Sequence, residues 1–125
     1  MDCPENLFYT KDHEWVTGQS GTVTVGVTAY AIEQLGDIVH VDLPDVGEEF
    51  HEGDSFGTIE STKTVSDLYM PGEAKVLEVN KLVANNPEEI QESPYDKGWL
   101  IKIQLSEPAK NLLNAGSYEG YIQED

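Results

Sequence analysis

Apolar residues along this chain fall in short runs, rich in β-branched side chains and separated by glycine, proline and acidic turns. Leu7-Phe8-Tyr9-Thr10 predicts an edge strand. Glu14-Trp15-Val16-Thr17 and Thr22-Val23-Thr24-Val25-Gly26-Val27 flank Gly18-Gln19-Ser20-Gly21, a connection of hairpin length, and together predict a β-hairpin. Thr28 is placed to cap a short helix that ends near Leu35, with Ala31, Ile32 and Leu35 inward, Glu33 and Gln34 outward, and Gly36 as its stop signal. Residues 37–43 then alternate. Ile38, His40 and Asp42 share one face, and Val39, Val41 and Leu43 share the other, which predicts a half-buried strand.

Pro44-Asp45-Val46-Gly47 turns the chain, residues 48–51 can pair briefly, and Glu52-Gly53-Asp54 turns it again. The strand-like run 55–59 leads into Glu60-Ser61-Thr62-Lys63-Thr64-Val65-Ser66-Asp67, and Leu68-Tyr69-Met70 leads out toward a Pro71-Gly72 turn. Lys63 is thereby predicted at a hairpin tip. Residues 74–80 read as a further strand, residues 85–90 as a loop entering one helical turn with Pro87 at its first position, and residues 99–105 as the clearest strand of all. Ser106, followed by Glu107 and Pro108, predicts the N-cap of a closing helix that uses Leu112, Leu113, Ala115, Tyr118 and Tyr121, with a break at Gly116. Gln123-Glu124-Asp125 are expected to be disordered. Many short strands and few helices predict one mostly-β domain over 1–125, ordered over about 7–121, with helices at the margins of a sandwich or small barrel.

Charge changes the picture more than composition does. Twenty-four acidic residues oppose seven lysines, there is no arginine, and the formal net charge is -17. Nucleic acid is excluded as a partner class, because its binding draws on phosphate neutralisation by basic side chains. Partners with basic docking patches are favoured instead. The single cysteine, Cys3, cannot form an intrachain disulfide and is expected in a loose terminus without a role. No apolar run approaches a membrane span, and the first residues carry neither the basic nor the apolar features of a signal peptide. A cytoplasmic protein with no membrane partner is expected.

Conventional catalytic chemistry is thin. His13, His40 and His51 are too scattered for a metal-ligand motif, and no metal is expected. Asp37, Asp42, Asp45, Glu48 and Glu49 lack the spacing of a calcium loop. No glycine-rich loop opens a helix, and no Gly-x-Ser-x-Gly elbow is present. Glu14 and Asp67 would act as an acid and base only if the fold joined them; two exposed carboxylates is the plainer reading.

Glu60-Ser61-x-Lys63 followed by Ser66-Asp67-Leu68-Tyr69-x-Pro71 and Glu78-Val79-Asn80 resembles the lipoylation segment of the glycine cleavage H-protein family. The likeness continues through His13-Glu14-Trp15, Gly26-x-Thr28, Leu35-Gly36-Asp37-Ile38-Val39, Val41-Asp42-Leu43-Pro44-x-Val46-Gly47, Asn86-Pro87-Glu88, Ser93-Pro94-Tyr95, residues 98–103 and Ala115-x-x-Tyr118. It covers roughly residues 7–121 in one order and register. The fold it implies is a lipoyl/biotinyl-domain-like sandwich, or barrel-sandwich hybrid, of antiparallel sheets with short peripheral helices and a C-terminal helix.

The function it implies is that of a shuttle with no catalytic residue of its own. Lys63 would carry amide-linked lipoic acid, attached by a lipoyl ligase or transferase that recognises Glu60, Ser61, Thr62, Thr64, Ser66 and Asp67. The arm would receive an aminomethyl group from a pyridoxal-phosphate glycine decarboxylase and yield it to a tetrahydrofolate-dependent aminomethyltransferase. Dihydrolipoamide dehydrogenase would then reoxidise it. Glu14 and Asp67 are the carboxylates that the likeness places nearest the carried amine, and the protein is expected to be a monomer. Thr62 and Thr64 replace smaller or apolar neighbours of the lysine, Ala74 stands where the family has a turn glycine, and Gln34 replaces a frequent histidine. Two alternatives stay open: a divergent paralogue that relays lipoyl groups to other proteins, and an unmodified acidic interaction module. A biotin carrier lacks its Met-Lys-Met setting here.

Overall fold

In the computed structural model, which describes residues 3–123, the β-branched runs pair into two antiparallel sheets. The strands are β1 (Phe8–Tyr9), β2 (Glu14–Val16), β3 (Thr22–Val27), β4 (Ile38–Asp42), β5 (Glu49–Phe50), β6 (Ser55–Ser61), β7 (Val65–Tyr69), β8 (Ala74–Val79) and β9 (Ile101–Leu105). A six-stranded sheet runs β1-β2-β3-β9-β8-β5 and a three-stranded sheet runs β4-β6-β7. Helices α1 (Ala29–Leu35), α2 (Lys81–Asn85), α3 (Glu88–Glu92) and α4 (Ala115–Gln123) lie at the margins. The expected sandwich of antiparallel sheets with peripheral helices is what forms.

The core lies between the sheets. Val25, Val76, Ile101 and Ile103 from the large sheet meet Val41, Ile59 and Leu68 from the small one, all buried. At about 1.5–3 kcal/mol for each fully buried aliphatic side chain, this layer dominates the driving force for folding. A second cluster under α4 joins Leu7, Tyr9, Trp15 and Tyr118, with the Tyr9 and Tyr118 rings stacked at 4.6 Å. Trp15 lies flat over β3 at Gly26, where any Cβ would overlap the indole, and its indole N–H donates to the Pro94 carbonyl at 2.9 Å.

Local signals held where the sequence carried them. Thr28 caps α1, its hydroxyl accepting from Ala31 N–H, and Gly36 ends the helix at φ 87°. The β2–β3 hairpin and the β6–β7 hairpin form as expected. Ala74 opens β8, paired with Phe50 and Leu105, so the position expected in a turn lies in a strand.

Five expectations are corrected. The strict alternation over residues 37–43 fails, because a bulge between Ile38 and His40 shifts the register; Ile38 and Val41 both turn inward and Val39 is left half-exposed. The closing helix begins at Ala115, capped by Asn114, whose Oδ1 accepts from Ser117 N–H at 2.8 Å. Ser106 does not start it. Residues 106–114 form a strap whose Leu113 exchanges backbone bonds with Tyr9 at 2.7 and 2.8 Å, and Gly116 lies inside the helix without breaking it. Cys3 is buried in the second cluster, because the neighbouring aromatic rings give the terminus something to pack against. Helix α2, capped by Asn80, went unread as a helix. Of the three terminal residues expected to be disordered, Gln123 closes α4 and the other two lie outside the described residues.

Candidate functional site

The β6–β7 hairpin is closed by its own backbone and one serine. Ser61 N–H donates to Thr64 O at 2.8 Å, and the buried Ser61 hydroxyl accepts from the Lys63 and Thr64 amides at 3.2 and 3.1 Å. Thr62 N–H ties the tip to Asp37 O at 3.0 Å, just beyond the end of α1. Thr62, Lys63 and Thr64 are exposed. Ser61 therefore fixes the backbone while the side chains beside it stay in solvent. Glu60 faces outward on β6, opposite Val65 of β7 and His40 of β4.

Lys63 does not extend straight into water. Its stem lies against Gly36, with Cε 3.2 Å from where a Cβ would sit. Only glycine offers both that space and the left-handed φ of 87°. The ammonium makes no ion pair; among the described residues the one ion pair is Lys102 with Glu78 at 3.5 Å.

Along α1, whose last residue Leu35 precedes Gly36, a cleft of about 300 Å³ runs between the helix and the β7 edge. Val27, Leu35, Ile59 and Leu68 give it apolar walls, and Glu14, Ser66, Asp67 and Gln34 bring polar groups into it. The structure thus joins Glu14 and Asp67 along one surface, though they lie far apart in sequence. They differ sharply in setting. Asp67 is exposed and accepts from the Ser55 hydroxyl at 3.1 Å. Glu14 is 1% exposed; its Oε2 accepts from Tyr69 N–H at 2.7 Å, and its Oε1 has no hydrogen-bond partner among the described residues.

Burial pushes the Glu14 carboxyl well above the usual glutamate range, opposed by the Tyr69 amide, raised further by nearby Asp12 and opposed by the Thr10 hydroxyl. A buried carboxyl with an unused oxygen is costly unless something donates to it. An amine entering the cleft could donate that hydrogen bond and supply the charge that favours the carboxylate.

The plainer reading of two exposed carboxylates fails at Glu14. Sequence reasoning also missed the frame around it. His13 stands at φ 67°, its Nδ1 2.9 Å from the Tyr118 hydroxyl, which lies 2.8 Å from Thr28 Oγ1; His13 also packs on Tyr30 at 5.0 Å. Tyr95 completes this frame, its hydroxyl accepting from Ala29 N–H at 3.0 Å. These residues set α1 against the cleft, and only the Thr28 cap had a local signal. Among the described residues no cluster of histidine, cysteine or acidic side chains could hold a metal ion, and no helix is long and apolar enough to cross a membrane.

Comparison with known proteins gives a consistent result. Residues 7–125 match the family model described as glycine cleavage H-protein. The chain is 48% identical to the glycine cleavage system H protein of Staphylococcus haemolyticus (strain JCSC1435), across 99% of this chain and 100% of that one. It is 45% identical to that of Anaeromyxobacter sp. (strain K), across 99% and 98%. The crystal structure of a glycine cleavage system H protein from Mycobacterium marinum superposes with a TM-score of 0.91 at 42% identity, covering 97% of this chain and 99% of that one.

Proposed function

Because this chain belongs to the glycine cleavage H-protein family, we propose that it is a single-domain, monomeric, non-catalytic carrier whose arm is lipoic acid in amide linkage to Lys63. The observation that supports this most is a juxtaposition: an exposed lysine has its stem turned over Gly36 at the end of α1, and the cleft along the same helix, lined by Gln34 and Leu35, holds a buried carboxyl with an unused oxygen. Bound lipoic acid would supply a dithiolane that takes up and gives back an aminomethyl group.

The chain's own residues have four tasks. Ser61 holds the hairpin tip so that the attachment point is fixed while its side chain stays accessible to a lipoyl ligase or transferase, which reads Glu60, Thr62, Thr64, Ser66 and Asp67 around it. Acylation removes the Lys63 charge and leaves an acidic face toward basic docking surfaces. Val27, Leu35, Ile59 and Leu68 exclude water from a resting arm. Glu14 accepts from the carried amine and ionises beside it, with Asp67 adding a weaker, exposed attraction.

Three enzymes complete the cycle: a pyridoxal-phosphate glycine decarboxylase that loads the arm, an aminomethyltransferase that unloads it onto tetrahydrofolate, and dihydrolipoamide dehydrogenase. Tethering raises the local concentration of the carried group at each of them. Reconstitution tests the reading. Glycine-dependent one-carbon transfer should require the lipoylated chain and disappear with Lys63→Arg; transfer that proceeds equally well with Lys63→Arg contradicts it.

A further inference from the structure

The connection from α1 to β4 touches the Lys63 hairpin twice: Gly36 lies against the lysine stem, and the Asp37 carbonyl accepts from Thr62 N–H at 3.0 Å. That connection is itself held by a residue far along the chain. Gln91 of α3 accepts from Ile38 N–H through Oε1 at 2.8 Å, and its Nε2 donates to Asp37 Oδ1 at 3.4 Å. The partners lie 53 and 54 residues apart in sequence.

The sheet creates the need for a side-chain acceptor here. β4 is an edge strand of the three-stranded sheet, and the bulge between Ile38 and His40 interrupts its ladder to β6. Ile38 is buried, so without Gln91 its N–H would be an unpaired donor at the margin of the core. Helix α3 gives Gln91 a firm base. Ile90 is fully buried, and Gly98 approaches so closely that a Cβ there would stand 3.0 Å from Ile90 Cα and 2.7 Å from Ser93 O. A line of contacts thus runs from α3 through Asp37 to Thr62, the residue before the lysine.

We propose that Gln91 is a positioning residue for Lys63: through Asp37 and Thr62 it keeps the hairpin tip in the conformation that a lipoyl ligase accepts. This rests on the carrier reading. Gln91 acts through the backbone and not on the reacting amine. An enzyme's apparent affinity falls in proportion to the population of the competent conformation, while turnover at saturation does not.

The test pairs two measurements. One is lipoyl ligase kinetics, with lipoic acid and ATP supplied and the full-length chain as the varied substrate; the other is hydrogen exchange of the Thr62 amide in the unmodified chain. Gln91→Ala should raise KM about fivefold, keep kcat within about twofold and speed Thr62 exchange about fivefold, the loss expected for one net hydrogen bond. Gln91→Glu retains an oxygen for Ile38 N–H and should hold both readouts within about twofold of the wild-type values at physiological salt, where the exposed Asp37 carboxylate is screened. A loss of overall stability alone would not move KM at a temperature where urea unfolding shows each variant folded. An unchanged KM in Gln91→Ala, an effect confined to kcat, Thr62 exchange at the wild-type rate, or Gln91→Glu as impaired as Gln91→Ala would overturn the proposal. A wild-type chain that the ligase does not modify contradicts the carrier reading instead, and Thr62 exchange then decides whether Gln91 sets the tip.

Discussion

The β6–β7 hairpin ends in three exposed residues held by backbone bonds and one serine hydroxyl, whereas the open end of the β2–β3 hairpin is locked on every side. There the Thr10 hydroxyl accepts from Glu14 N–H, Thr10 N–H donates to Glu14 O, Trp15 covers Gly26, and Tyr69 N–H holds the Glu14 carboxyl. The first hairpin presents a side chain to solvent, and the second holds a buried carboxyl in a fixed place. The tethered arm proposed above needs both. Its root must be reachable by several proteins, and its resting place must be rigid enough to exclude water.

The contrast predicts that substitutions at the two hairpins will separate chemistry from stability. Lys63→Arg should have the largest functional effect: no lipoylation and no glycine-dependent transfer, with an unfolding free energy changed by less than about 0.5 kcal/mol, as for other exposed sites. Mass spectrometry and urea unfolding measure the two halves. Gly26→Ala should do the reverse, costing about 3 kcal/mol in urea unfolding because the new methyl overlaps the Trp15 indole. A stability loss under about 0.5 kcal/mol would show that the β2–β3 hairpin is not locked as described.

Glu14→Gln sharpens the comparison by removing charge and keeping shape. Its carboxyl has a folded-state pKa raised above the ordinary 4.5, so the folded state binds the proton more tightly than the unfolded chain does. The stability this contributes is fully present below that ordinary value and is lost as pH rises toward the folded-state pKa. Glu14→Gln should therefore flatten the decline in stability above pH 4.5 and leave the unmodified chain more stable near neutrality. The same variant should make the loaded form hydrolyse about tenfold faster or more, since a hydrogen bond to a charged group is lost. Unchanged hydrolysis would remove Glu14 from the resting site. Asp67→Asn should show the smallest effect, about twofold on hydrolysis and weaker in high salt, because an exposed carboxylate is screened by solvent.

Legibility in the sequence followed the range of the interactions. The Thr28 cap, the Gly36 stop, the two hairpins and the exposed Lys63 depend on neighbours a few residues away, and all were readable. The burial of Glu14 was not, because its hydrogen-bond donor is Tyr69, 55 residues on, and Glu-Trp-Val by itself reads as an ordinary strand start. The phase of β4 depends on a bulge against β6, and the start of α4 on whether Leu113 pairs with Tyr9. Ser106-Glu107-Pro108 is a sound local helix start that loses to the Leu113–Tyr9 pairing. Cys3 was misplaced for the same reason: its burial depends on Tyr9, Trp15 and Tyr118, which the terminus meets only in the folded chain.

The carrier account rests on Lys63, and intact mass of the protein purified from its native cells, with peptide mapping across residues 55–70, tests it most directly. The account predicts added mass equal to one lipoyl amide, confined to Lys63. An unmodified Lys63 in cells that lipoylate their other carrier proteins would contradict it and favour an acidic interaction module that keeps the fold without the arm.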